Sequence, residues 1–101
     1  MIASTLNKGF VMTFENGLTI SVQFGQDNYC QHRTFYPIGN TEQNERVWES
    51  NTAEIGIYKD REGPWVVFKG GDTVKGYLPA DEVADYITKV KNAKSLEELN
   101  E

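Results

Sequence analysis

Two short runs in which apolar and polar residues alternate lie on either side of Asn16-Gly17, and they restrict the fold more strongly than any other feature. Alternation of this kind is typical of a half-buried β-strand, and Asn-Gly between two such runs is a strong hairpin signal. The segment therefore predicts an antiparallel hairpin with one apolar face. That face comprises Phe10, Met12, Phe14, Leu18, Ile20, Val22 and Phe24.

The length of the turn follows from which residues must face each other. A two-residue turn at Asn16-Gly17 would place Phe14 opposite Thr19, and the two apolar rows would then lie on opposite faces of the sheet. A three-residue loop over residues 15–17, with its glycine in the left-handed conformation, places Phe14 opposite Leu18 and aligns the rows. We therefore predict the three-residue loop.

A second hairpin is predicted over Ala53–Lys59 and Pro64–Lys69, because turn-forming residues connect two runs rich in β-branched and aromatic side chains. A four-residue loop in this hairpin would leave an aromatic sheet face made of Tyr58, Trp65 and Val67. After a turn at Gly70-Gly71-Asp72, the residues from Thr73 to Tyr77 are predicted to form a fifth strand.

The C-terminal part of the chain predicts one amphipathic helix of about four turns. Pro79 occupies a first helical position, acidic residues follow in the first turn, and lysines lie near the other end. The apolar face of this helix is predicted to comprise Ala80, Val83, Ile87 and Val90, with Tyr86 at its margin. Residues 95–101, where Ser95 and Glu98 have capping-box spacing, are predicted to form a short helical turn or a loose tail.

Together these elements predict an α+β fold: an antiparallel sheet of about five strands, built from two β-hairpins plus one strand and packed by one C-terminal helix. A length of 101 residues fits one domain, which we place over residues 1–94. Ten basic against fifteen acidic residues give a net charge of -5, which disfavours binding to a nucleic-acid backbone. No signal peptide or membrane-spanning run is present, so a soluble, cytoplasmic protein without membrane contact is expected.

The best candidate for a functional site lies just after the first hairpin, where residues 24–33 read FGQDNYCQHR and carry the single cysteine and single histidine of the chain. Residues 25–52 show little periodicity, and such long loops in compact domains are often functional. Phe35, Tyr36 and Ile38 are expected to pack one end of the loop against the core, and residues 39–45 are expected to be mobile. The predicted ligand- or partner-binding residues are Asn28, Tyr29, Gln31, His32, Arg33 and Trp48.

These residue types favour recognition over catalysis. Cys30 and His32 could form a thiolate–imidazole pair, but the sequence offers no second histidine to complete a catalytic group, so no catalytic residue is assigned. One cysteine and one histidine do not fill a zinc shell, and neither a metal nor a cofactor is predicted. Hydrogen-bonding groups, an aromatic ring and an arginine instead suit a polar partner or a nucleotide-like ligand.

The chain resembles a group of short accessory proteins encoded by bacteriophages and prophages. The resemblance is carried by Phe14-Glu15-Asn16-Gly17, by Asn28-Tyr29-Cys30, and by the residues from Gly71 to Tyr77 that lead into Pro79, Glu82 and Val83. It implies a small phage accessory protein, acting in the host cytoplasm by binding, and it implies no named activity.

Three hypotheses for function follow. The first is a non-enzymatic binding protein that inhibits a host defence or regulatory macromolecule, a protein or protein complex, through the 25–48 loop and the aromatic sheet face. The second is an oligomeric sponge for a nucleotide-like signalling molecule, with a pocket at a homo-oligomer interface, because a chain of this size has little volume to enclose a ligand alone. The third is a cysteine-dependent enzyme that uses Cys30.

Overall fold

A computed structural model describes residues 1–5, 8–25, 28–30 and 49–101. These residues form a five-stranded antiparallel sheet in the order β1-β2-β3-β4-β5, which packs against one helix and so confirms the predicted α+β class. None of the helices in the described ranges is long and apolar enough to cross a membrane. The elements are β1 (Ile2–Ser4), β2 (Gly9–Thr13), β3 (Thr19–Gln23), β4 (Thr52–Tyr58), β5 (Lys75–Pro79), α1 (Ala80–Asn92) and a short 3-10 helix (Glu97–Leu99).

The first hairpin, between β2 and β3, has the predicted register. Met12 lies opposite Ile20, and the N–H of Phe14 donates to the carbonyl of Leu18 at 3.0 Å. The loop closes where the N–H of Gly17 donates to the Phe14 carbonyl, and Gly17 has a φ of 84°. The three-residue loop with a left-handed glycine is therefore confirmed.

Replacing Gly17 with alanine is expected to lower the free energy of unfolding by about 1 kcal/mol or more, because a left-handed φ strains any residue with a Cβ. The added Cβ would meet nothing closer than Lys59 Cε at 4.0 Å, so the loss would come from backbone strain and not from a clash. Gly17→Asn is the control, since asparagine tolerates this conformation better and should lose less stability. Urea denaturation measures both variants, and an equal loss in the two would contradict the assignment of strain.

The second hairpin forms differently from the prediction. The predicted register is present at one bridge, between Tyr58 and Trp65, but the residues from Pro64 to Lys69 do not continue as a strand. The fifth strand begins later than predicted, at Lys75, and it pairs with the first half of β4. The 64–69 segment meets the same edge of β4 further along, where the N–H of Val66 donates to the Ile57 carbonyl, so β5 and this segment share the edge. The remaining strand of the five is β1, which the sequence pattern did not indicate.

Helix α1 covers one face of the sheet. Pro79 is the N-cap residue of the helix and not its first helical residue, so the helix begins one residue later than predicted. Val83 and Val90 are buried, and Tyr86 and Ile87 pack partly buried against the same core, as predicted. Ala80 lies on the same side of the helix as Val83 and Ile87, as predicted, but it is exposed and not buried in the core. The core between helix and sheet is built mainly from Leu18, Ile20, Val22, Ile55, Ile57, Val66 and Phe68.

The chain after α1 stays against the domain. Leu96 is buried, and a 3-10 helix over Glu97–Leu99 provides the short helical turn that was one of the two predicted alternatives. The carboxylate of Glu98 accepts a hydrogen bond from the N–H of Lys94 at 2.7 Å, and so it does not form the predicted capping box with Ser95. The N–H of Glu101 donates to the carbonyl of Val67 at 2.8 Å, which ties the two segments together.

Candidate functional site

The sheet face opposite α1, called the open face here, is set by alternation along β4. Ala53, Ile55 and Ile57 are buried in the core against the helix. Because successive side chains of a strand point to opposite faces, Glu54, Gly56 and Tyr58 belong to the open face. Alternate residues of a strand lie about 7 Å apart, so these three positions mark a line across the face.

A β-bulge interrupts the pairing of β4 with β5. Ala53 pairs with Leu78 and Ile55 pairs with Lys75, so Glu54 alone faces two residues, Gly76 and Tyr77. Tyr77 has a φ of 57° and is the one non-glycine residue with a left-handed backbone in the described part of the chain. Such a conformation in a bulky residue is unusual, and it occurs most often where function or packing maintains it.

Tyr29 lies against this bulge and is held by its backbone. The N–H of Tyr77 donates to the Tyr29 carbonyl at 2.8 Å, and the N–H of Tyr29 donates to Glu54 Oε2 at 3.0 Å. A Cβ at Gly76 would lie 2.4 Å from Tyr29 Cβ, so this close approach requires a glycine. The two tyrosine rings meet at a centroid distance of 6.3 Å and an interplanar angle of 54°.

Both tyrosines are exposed. Tyr29 is 41% exposed and Tyr77 is 54% exposed, so they are among the most exposed large hydrophobic side chains of the described chain. Beside them is an open cleft of about 430 Å³, called the tyrosine cleft here. Its described lining consists of Tyr29, Asp72, Val74, Gly76 and Tyr77.

Two more aromatic rings continue along the open face. A Cβ at Gly56 would lie 2.5 Å from Trp65 Cζ3, so the indole lies directly on this glycine. The rings of Trp65 and Tyr58 have centroids 4.6 Å apart, and Trp65 Nε1 donates to the Arg61 carbonyl at 3.1 Å. The two ring pairs are associated with successive open-face positions of β4, Glu54 for the first pair and Gly56 and Tyr58 for the second, and they are together called the aromatic stripe here: Tyr77, Tyr29, Trp65 and Tyr58.

The predicted aromatic sheet face comprises Tyr58, Trp65 and Val67. Tyr58 and Trp65 share the open face. Val67 is exposed, but its backbone pairs with the C-terminal segment: its N–H donates to Asn100 Oδ1 at 2.8 Å. The backbone of Val67 therefore anchors residues 100 and 101.

Two of the predicted site residues are described by the structure. Tyr29 lies at the bulge, whereas Asn28 serves a turn: its Oδ1 accepts a hydrogen bond from the N–H of Gly25 at 3.0 Å. Outside the described residues lie Gln31, His32, Arg33 and Trp48, the segment at 39–45 expected to be mobile, and the predicted core contacts of Phe35, Tyr36 and Ile38.

Sequence reasoning missed Glu54, Gly76 and Tyr77, although one signal was present. A glycine inside a strand often marks a bulge or a close approach of another backbone, and Gly76 marks both. The left-handed backbone of Tyr77 has no signal in the sequence, because tyrosine is not a residue that favours it.

Cys30 is packed inside the domain. It is 2% exposed, and its Sγ donates to the Gly25 carbonyl at 3.3 Å. The predicted pair with His32 involves a residue outside the described ranges. Within those ranges, no group of three or more histidine, cysteine, aspartate and glutamate side chains could hold a metal ion.

A separate polar cluster lies on the helix side of the sheet. Lys75 Nζ donates to the Tyr86 hydroxyl at 2.8 Å and to Glu101 Oε1 at 3.4 Å, and the Tyr86 hydroxyl donates to Glu101 Oε2. The hydrogen bond from Tyr86 holds the pKa of Glu101 below its ordinary value, and the bond to Tyr86 raises the pKa of Lys75. Burial raises the pKa of Tyr86. The cluster joins β5, α1 and the C-terminal segment.

This cluster predicts a pH dependence of stability with a definite sign. The folded-state pKa of Glu101 is lowered from 4.5, so its contribution to stability is complete above that pH and is lost as the pH falls through the folded pKa. Glu101→Gln is therefore expected to be less stable than the parent at pH 7, with the difference shrinking below about pH 4.5. Urea denaturation at a series of pH values measures this. A difference that stays constant from pH 7 to pH 3 would contradict the assignment.

Comparison of the chain with protein-family models, curated proteins and solved structures found no match. The resemblance to phage proteins therefore stays a prediction, and function has to be inferred from the geometry of the open face.

Proposed function

We propose that this chain is a non-enzymatic binding protein that engages a partner protein with the aromatic stripe. The observation that carries the proposal is the conformation of Tyr77, a bulky residue with a φ of 57° whose side chain is more than half exposed. A left-handed backbone costs a residue with a Cβ about 1 to 2 kcal/mol, and a glycine there would avoid that cost. The exposed ring gains little from packing within the domain, so a contact with another molecule accounts better for its presence.

The composition of the stripe supports a protein partner. Tyrosine and tryptophan are enriched among the residues that dominate binding energy at protein interfaces, because they bury a large area with few rotatable bonds. Two of the residues in the stripe pack closely on the sheet, because Gly56 and Gly76 let Trp65 and Tyr29 approach the backbone directly. The stripe therefore offers preorganised aromatic anchors on a stable sheet.

The nucleotide sponge is less well supported by the described residues. The two tyrosine rings are tilted by 54°, so they do not form a parallel slot for a flat base. Asp72 lines the cleft and Glu54 lies beside it, and carboxylates disfavour a phosphate group. The positive groups predicted for that pocket, His32 and Arg33, lie outside the described residues, so this alternative stays a prediction. The enzyme hypothesis has its one described residue, Cys30, buried.

The class of partner comes from the resemblance to phage proteins, which makes a host defence or regulatory protein the expected target and inhibition the expected outcome. From the 25–48 loop, the described contribution to the stripe is the segment at 28–30 that carries Tyr29.

Affinity capture with point variants tests the proposal. The purified chain is immobilised and incubated with a bacterial lysate, and retained proteins and released nucleotides are both identified. A protein retained by the parent should be reduced at least tenfold by Tyr77→Ala, consistent with about 1 to 3 kcal/mol for an aromatic anchor. The matched control is Ile2→Ala, which truncates a 72% exposed side chain on β1 at the far edge of the sheet and should retain the protein fully.

Two outcomes would contradict the proposal. One is equal retention of the protein by the parent and by Tyr77→Ala. The other is retention of a nucleotide and of no protein, which would favour the sponge. Because Tyr77 is exposed, the melting temperature of Tyr77→Ala should stay within a few degrees of the parent, so loss of retention is not a consequence of unfolding.

A further inference from the structure

The tyrosine cleft has two tyrosines and one carboxylate, Asp72, in its described lining. Asp72 lines the cleft directly, and Glu54 lies at the adjoining bulge, where its Oε2 accepts the hydrogen bond from the backbone of Tyr29. None of the described lining residues carries a positive charge. Lys75, the nearest cation along β5, directs its ammonium to the other face of the sheet, where it contacts Tyr86 and Glu101.

From this arrangement we infer that the cleft receives a cationic side chain of the partner, an arginine, which stacks on the ring of Tyr77 and forms a salt bridge with Asp72. The inference rests on the proposed function and names the chemistry that the partner presents to the stripe. Charge complementarity supports it, because the chain as a whole carries a net charge of -5.

Arginine fits the two kinds of group better than other side chains do. A guanidinium is planar, so it can lie flat on an aromatic ring while its N–H groups donate to a carboxylate at the ring edge. Cations over aromatic faces are attracted by the ring electrons, and arginine is found in this position more often than lysine. An open cleft of about 430 Å³ has room for a guanidinium group.

On the other face of the sheet, the protein already combines a cation, an aromatic ring and a carboxylate. Lys75 Nζ and Lys89 Nζ lie 5.2 Å and 5.0 Å from the centroid of the Tyr86 ring, and the Glu101 carboxylate accepts from the Tyr86 hydroxyl and from Lys75. There the ring, the carboxylate and the cations all come from one chain. At the tyrosine cleft the described lining residues supply the rings and one carboxylate, and we assign the cation to the partner.

An NMR titration with short peptides tests the inference directly. The probe is acetyl-Gly-Arg-Gly-amide, and the matched control is the same peptide with citrulline, which has the shape of arginine without its charge. The arginine peptide is expected to shift the ring signals of Tyr77 in a saturable way, with an affinity at least fivefold higher than the citrulline peptide. That difference should shrink as salt is raised from 20 mM to 500 mM, because partly exposed charges are screened.

A variant of the protein tests the contribution of the Asp72 carboxylate. Asp72→Asn is expected to weaken binding of the arginine peptide at least threefold. Asp85→Asn, which removes one exposed carboxylate from α1, should leave that binding unchanged. Equal affinity for the two peptides, or an unchanged affinity after Asp72→Asn, would overturn the inference.

Failure of the inference is distinguishable from failure of the proposed function. If a captured protein is lost with Tyr77→Ala but retained by Asp72→Asn and at high salt, the aromatic stripe binds its partner and the arginine assignment is wrong. If Tyr77→Ala retains that protein as the parent does, the proposed function is wrong, and the arginine inference that rests on it is overturned too.

Discussion

Replacing Ile20 with alanine is expected to lower the free energy of unfolding by about 2 to 4 kcal/mol. Ile20 is fully buried in β3, and its cross-strand neighbours on the core face are Met12 and Ile57. Strands on both sides and a helix above leave the structure little freedom to close the cavity that alanine would create. The loss therefore combines the lost burial of apolar atoms with the energy of an unfilled space.

The measurement is the midpoint and slope of urea denaturation, since a shift in midpoint at constant slope reports a change in stability. Ile2→Ala is the matched control, because it removes the same atoms from a side chain that is 72% exposed and should change stability by no more than about 0.5 kcal/mol. A loss below about 1 kcal/mol for Ile20→Ala would contradict the assignment of this residue to the centre of the core.

The second large effect is expected at Asn16, where the first hairpin binds the end of α1. Asn16 Nδ2 donates to the carbonyls of Val90 at 2.8 Å and Ala93 at 2.9 Å, and more weakly to that of Lys91 at 3.3 Å. Its Oδ1 accepts from the N–H of Leu18 at 3.0 Å. The last carbonyls of a helix have no partner within the helix, so one side chain satisfies several of them.

Asn16→Ala is expected to lower the free energy of unfolding by about 2 kcal/mol, since each of these hydrogen bonds contributes about 0.5 to 1.5 kcal/mol. Asn16→Asp keeps the acceptor for Leu18 but places a negative charge at the negative end of the helix, so it should be no more stable than Asn16→Ala. The matched control is Asn92→Ala, an exposed position where alanine should be neutral or slightly stabilising. Equal stability of Asn16→Ala and Asn92→Ala would show that the contacts contribute little.

Local patterns predicted the parts of the fold that local forces decide. The hairpin register followed from the need to place Met12 and Ile20 on one face, and the helix followed from the spacing of Val83, Ile87 and Val90. The second hairpin shows the limit of this reasoning. Residues 64–69 have the composition of a strand, but whether they pair with β4 depends on competition with β5, which no local pattern reveals.

The candidate site was predictable in part. Tyr29 was found because an irregular segment rich in polar groups follows a regular strand, and that composition favours a binding role. The residues that position Tyr29 come from β4 and β5, far along the chain, and contribute through a bulge and a close backbone approach. The contact of Asn16 with the end of α1 is equally long-range, and Asn-Gly is already explained locally as a turn.

The central claim is that Tyr77 keeps a strained backbone for the sake of an intermolecular contact, and Tyr77→Gly tests it most directly. Glycine adopts the left-handed conformation without strain, which offsets the lost ring contact with Tyr29 and the greater freedom of the unfolded chain. We therefore expect a free energy of unfolding equal to that of the parent or up to about 1 kcal/mol higher, together with at least tenfold weaker retention of the partner. A loss of stability above about 1 kcal/mol with unchanged retention would show that the ring is structural, and the account of the aromatic stripe would be wrong.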